Sequence, residues 1–188
     1  MTVKSKTDPV VMERHKIEIL FRKDQISRRV QEIGDQISAE YRSSTPILVG
    51  ALKGCFMFMA DLARTISIPV ELEFISSISY RNGAIQDDTI AIGPSPLIPI
   101  RGRDVLFVEG VVDSGRTVSQ VLRRLQIEEP KSLEVVTLLL KRKARLEAPL
   151  KYVGFEIDDQ FVIGYGLDYS QLYRNLDFIG HVQEFVKS

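Results

Sequence analysis

One segment constrains the fold of this chain more than any other. Residues 104–125 read DVLFVEGVVDSGRTVSQVLRRL, an apolar β-branched run followed by a loop rich in glycine and hydroxyl groups and then by an amphipathic run. Continuous apolar runs of about four to eight residues are typical of strands that are buried on both faces. The segment therefore predicts a buried strand, a tight loop and a helix in direct succession.

Segments of strand type and helix type alternate along the rest of the chain. Helical spacing of apolar residues predicts helices over residues 24–41, 55–66 and 118–129. Runs of strand type occupy residues 46–52, 70–80, 104–110, 132–142, 152–157 and 161–168. Such alternation is typical of βαβ units with right-handed crossovers. We expect one α/β domain over residues 1–188, with a mostly parallel sheet flanked by helices.

Two segments fall outside this alternation. Residues 1–15 carry no clear pattern and are expected to form a flexible N-terminal arm. Residues 76–103 carry turn formers at both ends around the β-prone centre DTIAI, which predicts a hairpin-like excursion from the sheet. An excursion of this kind can serve as a mobile lid over a binding site.

Composition narrows the possible functions. The 25 basic and 25 acidic residues balance, so no overall field favours nucleic acid, and an anion must be bound by a local arrangement. A single cysteine, Cys55, excludes an intramolecular disulfide framework and is expected to be a buried small hydrophobe. The N-terminus lacks the apolar core of a secretion signal, and no apolar run reaches the roughly 20 residues that span a bilayer. We expect a cytoplasmic protein that does not enter membranes.

The loop after the strand at 104–110 has the chemistry of a phosphate site. Gly115 permits close approach of the backbone, Ser114 and Thr117 offer hydroxyl groups, and the following helix offers unpaired N–H groups. Neither the dinucleotide-binding G-x-G-x-x-G nor the Walker loop is present. The neighbouring acids, Glu109 and Asp113, then suggest contacts to sugar hydroxyls, a divalent cation or a transferred proton.

The sequence around Glu109 and Asp113 resembles a motif of a known protein family. The signature of the type I phosphoribosyltransferases is four apolar positions, an acidic pair, two apolar positions and then D-[ST]-G-x-T, and VLFVEGVVDSGRT resembles it. The segments GALKGCFMFMADL, ISY, VTLLLKR, VGFEIDDQFVIGYGLDY and YRNLDFIG resemble further motifs of the hypoxanthine-guanine phosphoribosyltransferases, in the same order. The resemblance covers roughly residues 15–182, and it implies the type I phosphoribosyltransferase fold with a small hood and a mobile lid.

The resemblance also implies an activity. Ribose 5-phosphate would pass from phosphoribosyl pyrophosphate to N9 of a 6-oxopurine, hypoxanthine or guanine, with Mg²⁺ as cofactor and a nucleoside monophosphate (IMP or GMP) and pyrophosphate as products. Adenine is expected to be a poor substrate, because a lysine that donates to a 6-oxo group would face another donor. The family usually forms dimers or tetramers, so we expect a homodimer or homotetramer.

Site residues follow position by position from the matching motifs. Asp113 would be the general base near the purine N7. The remaining assignments, all implied by the resemblance, are as follows: the 5-phosphate on Asp113, Ser114, Gly115, Arg116 and Thr117; pyrophosphate on Lys53, Gly54 and Arg174, with a cis peptide before Lys53; the purine on Lys141, Phe161, Val162 and Asp168; the lid at Ser79 and Tyr80; ribose and metal beside Glu109 and Gly110; and the metal on Asp168 and Glu109.

One position departs from the family pattern. The residue after Glu109 is usually Asp, and the acidic pair holds the ribose hydroxyls, whereas this chain has Gly110. Loss of a hydrogen bond to a charged group costs about 1.5 to 3 kcal/mol, so binding of phosphoribosyl pyrophosphate should weaken. On this basis, Gly110→Asp is expected to lower the KM for the sugar donor.

Other interpretations of the same residues remain open at this stage. Lys141 lies in KRKAR, which alone is typical of a solvated charge cluster or, less often, of a nucleic-acid contact. Phe161 alone would be a core aromatic, and Asp168 with Arg174 a surface ion pair. The alternative function is a nucleotide-binding regulator on the same fold, with weak or no catalysis because of Gly110.

Overall fold

A six-stranded sheet forms the centre of the computed structural model, which describes residues 10–12, 15–79, 90–92, 98–145 and 150–185. Its strands are β3 (Ile47–Leu52), β4 (Glu71–Ser79), β5 (Ile90–Ile92), β6 (Asp104–Val112), β7 (Ser132–Lys141) and β8 (Tyr152–Ile157), in the order β5-β4-β3-β6-β7-β8. All neighbouring pairs are parallel except β4 with β5. The prediction of a mostly parallel sheet is confirmed.

Three helices pack on the two faces of this sheet. Helices α1 (Lys23–Glu40) and α2 (Phe56–Thr65) bury Ile33, Phe58 and Leu62 against one face, together with Leu106 and Val108 of β6. Helix α3 (Arg116–Gln126) buries Val118 and Val121 against the other face. Strand β6 is buried along both faces, since its side chains alternate between these two cores. This explains its continuous apolar run.

A second, antiparallel sheet forms the hood. It has the order β1-β2-β10-β9, with β1 (Val10–Met12), β2 (His15–Phe21), β9 (Val162–Ile163) and β10 (Ile179–Phe185). Sequence analysis predicted neither β2 nor β10 as a strand, and residues 10–12 and 15, which lie in the predicted N-terminal arm, are paired here. The run at 161–168 is a strand only at its start, because Gly164, Tyr165 and Gly166 have positive φ and turn the chain.

The predicted lid is described only in part. Residues 77–79 of β4 pair antiparallel with residues 90–92 of β5, as expected for the two arms of a hairpin. The residues between these arms, including Tyr80, lie outside the described residues, and so does the side chain of Ser79. Residues 98–103 lead back to β6.

No helix within the described residues is long and apolar enough to cross a membrane.

Candidate active site

The parallel strands bring the predicted site residues to one edge of the sheet. Strand β3 ends beside Lys53, β6 ends just before Asp113, and β7 ends at Lys141. In parallel sheets the carboxyl ends of the strands lie at the same edge, where ligands of α/β proteins bind. The fold therefore places three of the predicted site segments side by side.

The loop between β6 and α3 has the form of an anion cradle. Gly115 has φ 89°, a left-handed conformation that glycine adopts readily, and α3 begins at the next residue. The first helical hydrogen bond runs from Ser119 N–H to the Gly115 carbonyl (2.9 Å), so the N–H groups of the first turn point out of the helix. The loop is tied on its other side by Arg145 N–H, which donates to the Ser114 carbonyl (3.0 Å).

Asp113, at the start of this loop, belongs to a cluster of four charged side chains. Lys141 Nζ lies 3.0 Å from Asp113 Oδ2 and 3.3 Å from Asp159 Oδ1. Lys143 Nζ lies 2.9 Å from Asp113 Oδ1 and 2.6 Å from Asp159 Oδ1. We refer to these four residues as the lysine-aspartate cluster. Burial raises the pKa of Asp113, but hydrogen bonds from Lys143 and Lys141 outweigh this effect and hold it below its ordinary value.

The two lysines of the cluster have different surroundings. Lys141 ends a buried strand, and 7% of its surface is exposed. Lys143 follows in the exposed turn and reaches Asp113 from the solvent side. A buried lysine needs anionic or polar partners, and the two aspartates supply them. Lys141 is therefore not part of a solvated charge cluster.

The segment at Lys53 and Gly54 packs on two other glycines. The Leu52–Lys53 peptide bond is cis, as the resemblance implied, and Lys53 is exposed. A Cβ atom built at Gly110 would lie 2.8 Å from the Gly54 carbonyl oxygen, and one built at Gly166 would lie 2.7 Å from it. These separations are too short for real side chains, so the backbone of Gly54 occupies the space in which residue 110 would carry its side chain.

This packing corrects one expectation from the sequence. Gly110→Asp was expected to improve binding of the sugar donor by restoring a carboxylate. Its Cβ would instead overlap the Gly54 carbonyl oxygen and crowd Leu167 Cδ2 at 3.3 Å. The side chain can be added only if the backbone at Lys53 and Gly54 moves, so the substitution should disturb the segment predicted to bind pyrophosphate.

Glu109 lies buried in β6, next to Gly110. Gly110 N–H donates to Glu109 Oε1 (2.8 Å), so the carboxylate is folded back onto the backbone. Burial raises its pKa to about 7. Cys55 lies close enough for this carboxylate to affect its thiol, and burial raises the pKa of Cys55 to about 12, which agrees with the expected buried cysteine. In this arrangement one carboxylate oxygen of Glu109 is hydrogen-bonded to the adjacent backbone.

Asp168 and Arg174 form a partly buried ion pair. Arg174 Nη2 lies 2.7 Å from Asp168 Oδ1, and Arg174 Nη1 donates to the Gly166 carbonyl (2.8 Å). Gly166 in turn packs on Gly54, so it connects Arg174 to the backbone of Gly54. The structure thus places two of the residues predicted for pyrophosphate, Gly54 and Arg174, against the same glycine.

Two of the residues predicted to bind the purine, Phe161 and Val162, follow shortly after Asp159 in the chain. Phe161 is 47% exposed and meets Tyr169 edge to face, with ring centroids 5.6 Å apart. The Phe161 carbonyl accepts a hydrogen bond from Val182 N–H (3.4 Å) and lies 3.0 Å from His181 Nδ1. Val162 is buried and pairs with β10. Phe161 is therefore an exposed, anchored ring and not a core aromatic.

Sequence reasoning missed several residues of this site. Lys143 and Asp159 complete the lysine-aspartate cluster, Gly166 supports Gly54, and Tyr169 supports Phe161. The charged sequences KRK and DDQ and the glycine after Tyr165 were visible. These residues come together only because the fold brings strand ends that are far apart in the sequence next to one another.

Comparison with known proteins identifies close relatives. Residues 17–170 match the family model described as a phosphoribosyl transferase domain. The hypoxanthine phosphoribosyltransferase of Salmonella typhimurium is 43% identical over 172 residues, covering 90% of this chain and 97% of that protein. The hypoxanthine-guanine phosphoribosyltransferase of Bacillus subtilis is 39% identical over 173 residues, covering 90% and 95%.

Solved structures agree with these relatives. A crystal structure of a hypoxanthine-guanine phosphoribosyltransferase from Bacillus anthracis superposes with a TM-score of 0.82 at 34% identity, covering 88% of this chain and 98% of that one. The fold described above is therefore one that these relatives share.

Proposed function

Because the chain belongs to the phosphoribosyltransferase family, we propose that its site transfers ribose 5-phosphate from phosphoribosyl pyrophosphate to N9 of hypoxanthine or guanine. The products are IMP or GMP and pyrophosphate. The chain is a transferase of purine salvage, as its relatives at about 40% identity indicate. The observation that carries the substrate assignment is the contact of Lys141 with Asp113 beside the phosphate loop.

The two anionic ends of the sugar donor have separate binding segments. The 5-phosphate binds the loop Asp113–Thr117, where the N–H groups of the first turn of α3 and the hydroxyls of Ser114 and Thr117 donate to it. Pyrophosphate binds Lys53, the Gly54 backbone and Arg174. The pentose lies between them, over the carboxyl end of β6.

The base binds between the lysine-aspartate cluster and the hood. Phe161 stacks on the purine, since its ring is exposed and held from the side by Tyr169. Lys141 donates to the 6-oxo group, and Asp113 accepts the proton at N7 as the bond to N9 forms. The backbone of Val162, and the segment around Asp168, flank the edge of the base. An adenine amino group would face Lys141 donor to donor, which selects for 6-oxopurines.

Charge development explains the cations on the pyrophosphate side. The transition state has oxocarbenium character at the sugar, and negative charge grows on the leaving pyrophosphate. Lys53 and Arg174 stabilise that charge where it appears. A lid carrying Ser79 and Tyr80 would exclude water from the reacting centre.

We place Mg²⁺ at Asp168, which lies on the pyrophosphate side of the site. The described residues contain no group of three or more His, Cys, Asp or Glu side chains arranged for a metal. Mg²⁺ commonly binds one or two carboxylates together with substrate phosphates, and Asp168 stands beside Arg174 on the pyrophosphate side. When bound there, Mg²⁺ would neutralise charge on the pyrophosphate.

We further propose that the chain forms a homodimer or homotetramer in the cytoplasm. Leu72 and Phe74 of β4 are 45% and 41% exposed and lie on the sheet face that α1 and α2 cover elsewhere. Apolar side chains exposed side by side on a sheet favour association. Light scattering after size-exclusion chromatography tests this: a monomer that stays monomeric at high concentration contradicts it.

A panel of bases tests the substrate assignment. Purified protein is assayed with phosphoribosyl pyrophosphate, Mg²⁺ and hypoxanthine, guanine, xanthine or adenine in turn. We expect turnover with hypoxanthine or guanine and a far lower kcat/KM with adenine. Binding of IMP or GMP without turnover on any base would instead favour the nucleotide-binding regulator.

A further inference from the structure

Lys143 lies outside every role assigned so far, although it touches the predicted general base. Its Nζ lies 2.9 Å from Asp113 Oδ1 and 2.6 Å from Asp159 Oδ1. Ordinary surface lysines make one loose ion pair worth little, whereas this one bridges two carboxylates from different loops. The arrangement suggests that Lys143 acts on Asp113.

The two oxygens of Asp113 have different partners. Oδ2 is 3.0 Å from Lys141, and Oδ1 is 2.9 Å from Lys143. Both directions of the carboxylate are therefore taken before the purine arrives. For Asp113 to accept a proton at N7, one of the two oxygens has to become available.

Lys141 is the lysine that can leave. It is buried, unlike Lys143, and in the proposed function it donates to the 6-oxo group of the base. Its departure frees Oδ2, the oxygen on the side of the purine. Lys143 approaches from the solvent and has no such second partner on the base, so its bond to Oδ1 can persist.

We propose that Lys143 is a positioning residue for Asp113, which holds Oδ1 so that Oδ2 faces N7 once Lys141 has turned to the base. This inference rests on the proposed function. Asp159 keeps Lys143 in place, because it accepts from the same Nζ. Lys143 thus keeps the Asp113 carboxylate ionised and oriented while Lys141 is bound to the substrate.

The charged groups around Asp113 agree with this role. Its described neighbours are Lys141 and Lys143 at the end of β7, with Asp159 of the β8–β9 loop behind them. Lys143 keeps Asp113 in the charged form that can accept a proton. In a variant without Lys143, Asp113 would protonate at a higher pH once the purine has bound Lys141.

The chain offers a matched control in the same turn. Arg142 lies between the two lysines and pairs with Asp158 (2.5 Å), the residue before Asp159, without touching Asp113. Arg142→Met therefore removes an ion pair between the same two loops and leaves Asp113 with both partners. Lys143→Arg keeps the charge and should restore the contact.

Steady-state kinetics with hypoxanthine over a range of pH test the proposal. Lys143→Met should lower kcat about tenfold, a fraction of the roughly 10² to 10⁴ that a general base supplies, and should change the KM for hypoxanthine little. The acid limb of its kcat profile, which reports groups in the enzyme–substrate complex, should move to higher pH. Lys143→Arg should recover most of the rate, and Arg142→Met should match the unmodified chain.

A double-mutant cycle separates positioning from a structural role. If Lys143 acts through Asp113, adding Lys143→Met to Asp113→Asn should cost less than about twofold more, since the effects are not additive for coupled groups. If the rate losses of the two substitutions multiply, or if the acid limb of the Lys143→Met profile does not move, the inference about Lys143 is overturned. The proposed function still holds in that case, provided that the unmodified chain turns over hypoxanthine. An unmodified chain without turnover overturns both.

Discussion

Lys141 Nζ and Asp113 Oδ2 lie 3.0 Å apart, although 28 residues separate them in the chain. The parallel strands β6 and β7 pair in register, which brings the end of one next to the loop that follows the other. Strand pairing thus holds a buried cation and a carboxylate together at the carboxyl edge of the sheet. Each member of this pair has a separable role in the proposed reaction.

Replacing Lys141 should damage recognition of the base. Lys141→Met removes a charged donor worth about 1.5 to 3 kcal/mol, so kcat/KM for hypoxanthine should fall roughly ten- to 150-fold. Preference for hypoxanthine over adenine should shrink. Lys131→Met is the control, since it removes a lysine–aspartate pair, Lys131 with Asp104, at the opposite end of β7. Unchanged discrimination in Lys141→Met would contradict this role.

Replacing Asp113 should damage the chemical step. Asp113→Asn keeps the shape of the side chain but removes the proton acceptor, and general-base catalysis typically contributes about 10² to 10⁴ in rate. The expected result is a loss of kcat in that range, measured with saturating donor and base. A loss below tenfold would show that Asp113 is not the base.

A side chain at position 110 should weaken the enzyme. Gly110→Ala and Gly110→Asp both place Cβ against the Gly54 carbonyl oxygen, and overpacking of this kind costs about 1 to 3 kcal/mol. We expect a lower free energy of unfolding in urea and a higher KM for phosphoribosyl pyrophosphate for both variants.

Position 54 supplies the matched control for stability. A Cβ at Gly54 would meet its nearest atom, Leu167 Cδ2, at 3.7 Å, an ordinary contact. Gly54→Ala should therefore unfold within about 0.5 kcal/mol of the unmodified chain. A Gly110→Asp variant that is as stable as the unmodified chain and binds the sugar donor more tightly would contradict the steric conflict at position 110 and favour a role for the added carboxylate.

Stability should depend on pH through Glu109. Burial raises its pKa from 4.5 to about 7 in the folded chain, so between these values the folded state holds more protons than the unfolded state. The contribution of Glu109 is most favourable below pH 4.5, declines as pH rises, and is lost above about pH 7. Glu109→Gln should remove this part of the pH dependence, so its gain in the free energy of unfolding over the unmodified chain should be largest at pH 8.

Urea unfolding in metal-free buffer at several pH values measures this contribution. The quantity of interest is the difference between Glu109→Gln and the unmodified chain, because other groups, such as Asp113, contribute in the opposite direction. A difference that does not change between pH 5 and pH 8 would show that Glu109 titrates normally.

The main sheet and its helices were predictable because each has a strong local pattern. Helix α1 shows its apolar face at Ile26, Val30 and Ile33, and β6 reads as a continuous apolar run. The hood strands β2 and β10 were missed. Strand β2 alternates Ile17 and Ile19 with Lys16 and Glu18, but besides the short β1 its partner is β10, from the far end of the chain.

The residues of the candidate site also fall into two groups: those that local sequence suggests and those that only the fold brings together. Asp113 and Gly115 follow the end of a strand, so local sequence was enough to suggest them, whereas Lys141 was assigned through the family resemblance. The contact of Gly54 with Gly110 and Gly166 could not be predicted, because it depends on the approach of three backbones. For the same reason the sequence alone suggested that an aspartate would fit at position 110.

Transfer of ribose 5-phosphate to the base is tested by measuring both products of a single reaction. Purified protein is incubated with phosphoribosyl pyrophosphate, Mg²⁺ and hypoxanthine, and IMP and pyrophosphate are quantified together by chromatography and mass spectrometry, with a chelator added to a parallel sample. The account predicts equal amounts of IMP and pyrophosphate, and strong inhibition by the chelator. Pyrophosphate without IMP, or no product from a sample that binds IMP, would contradict it.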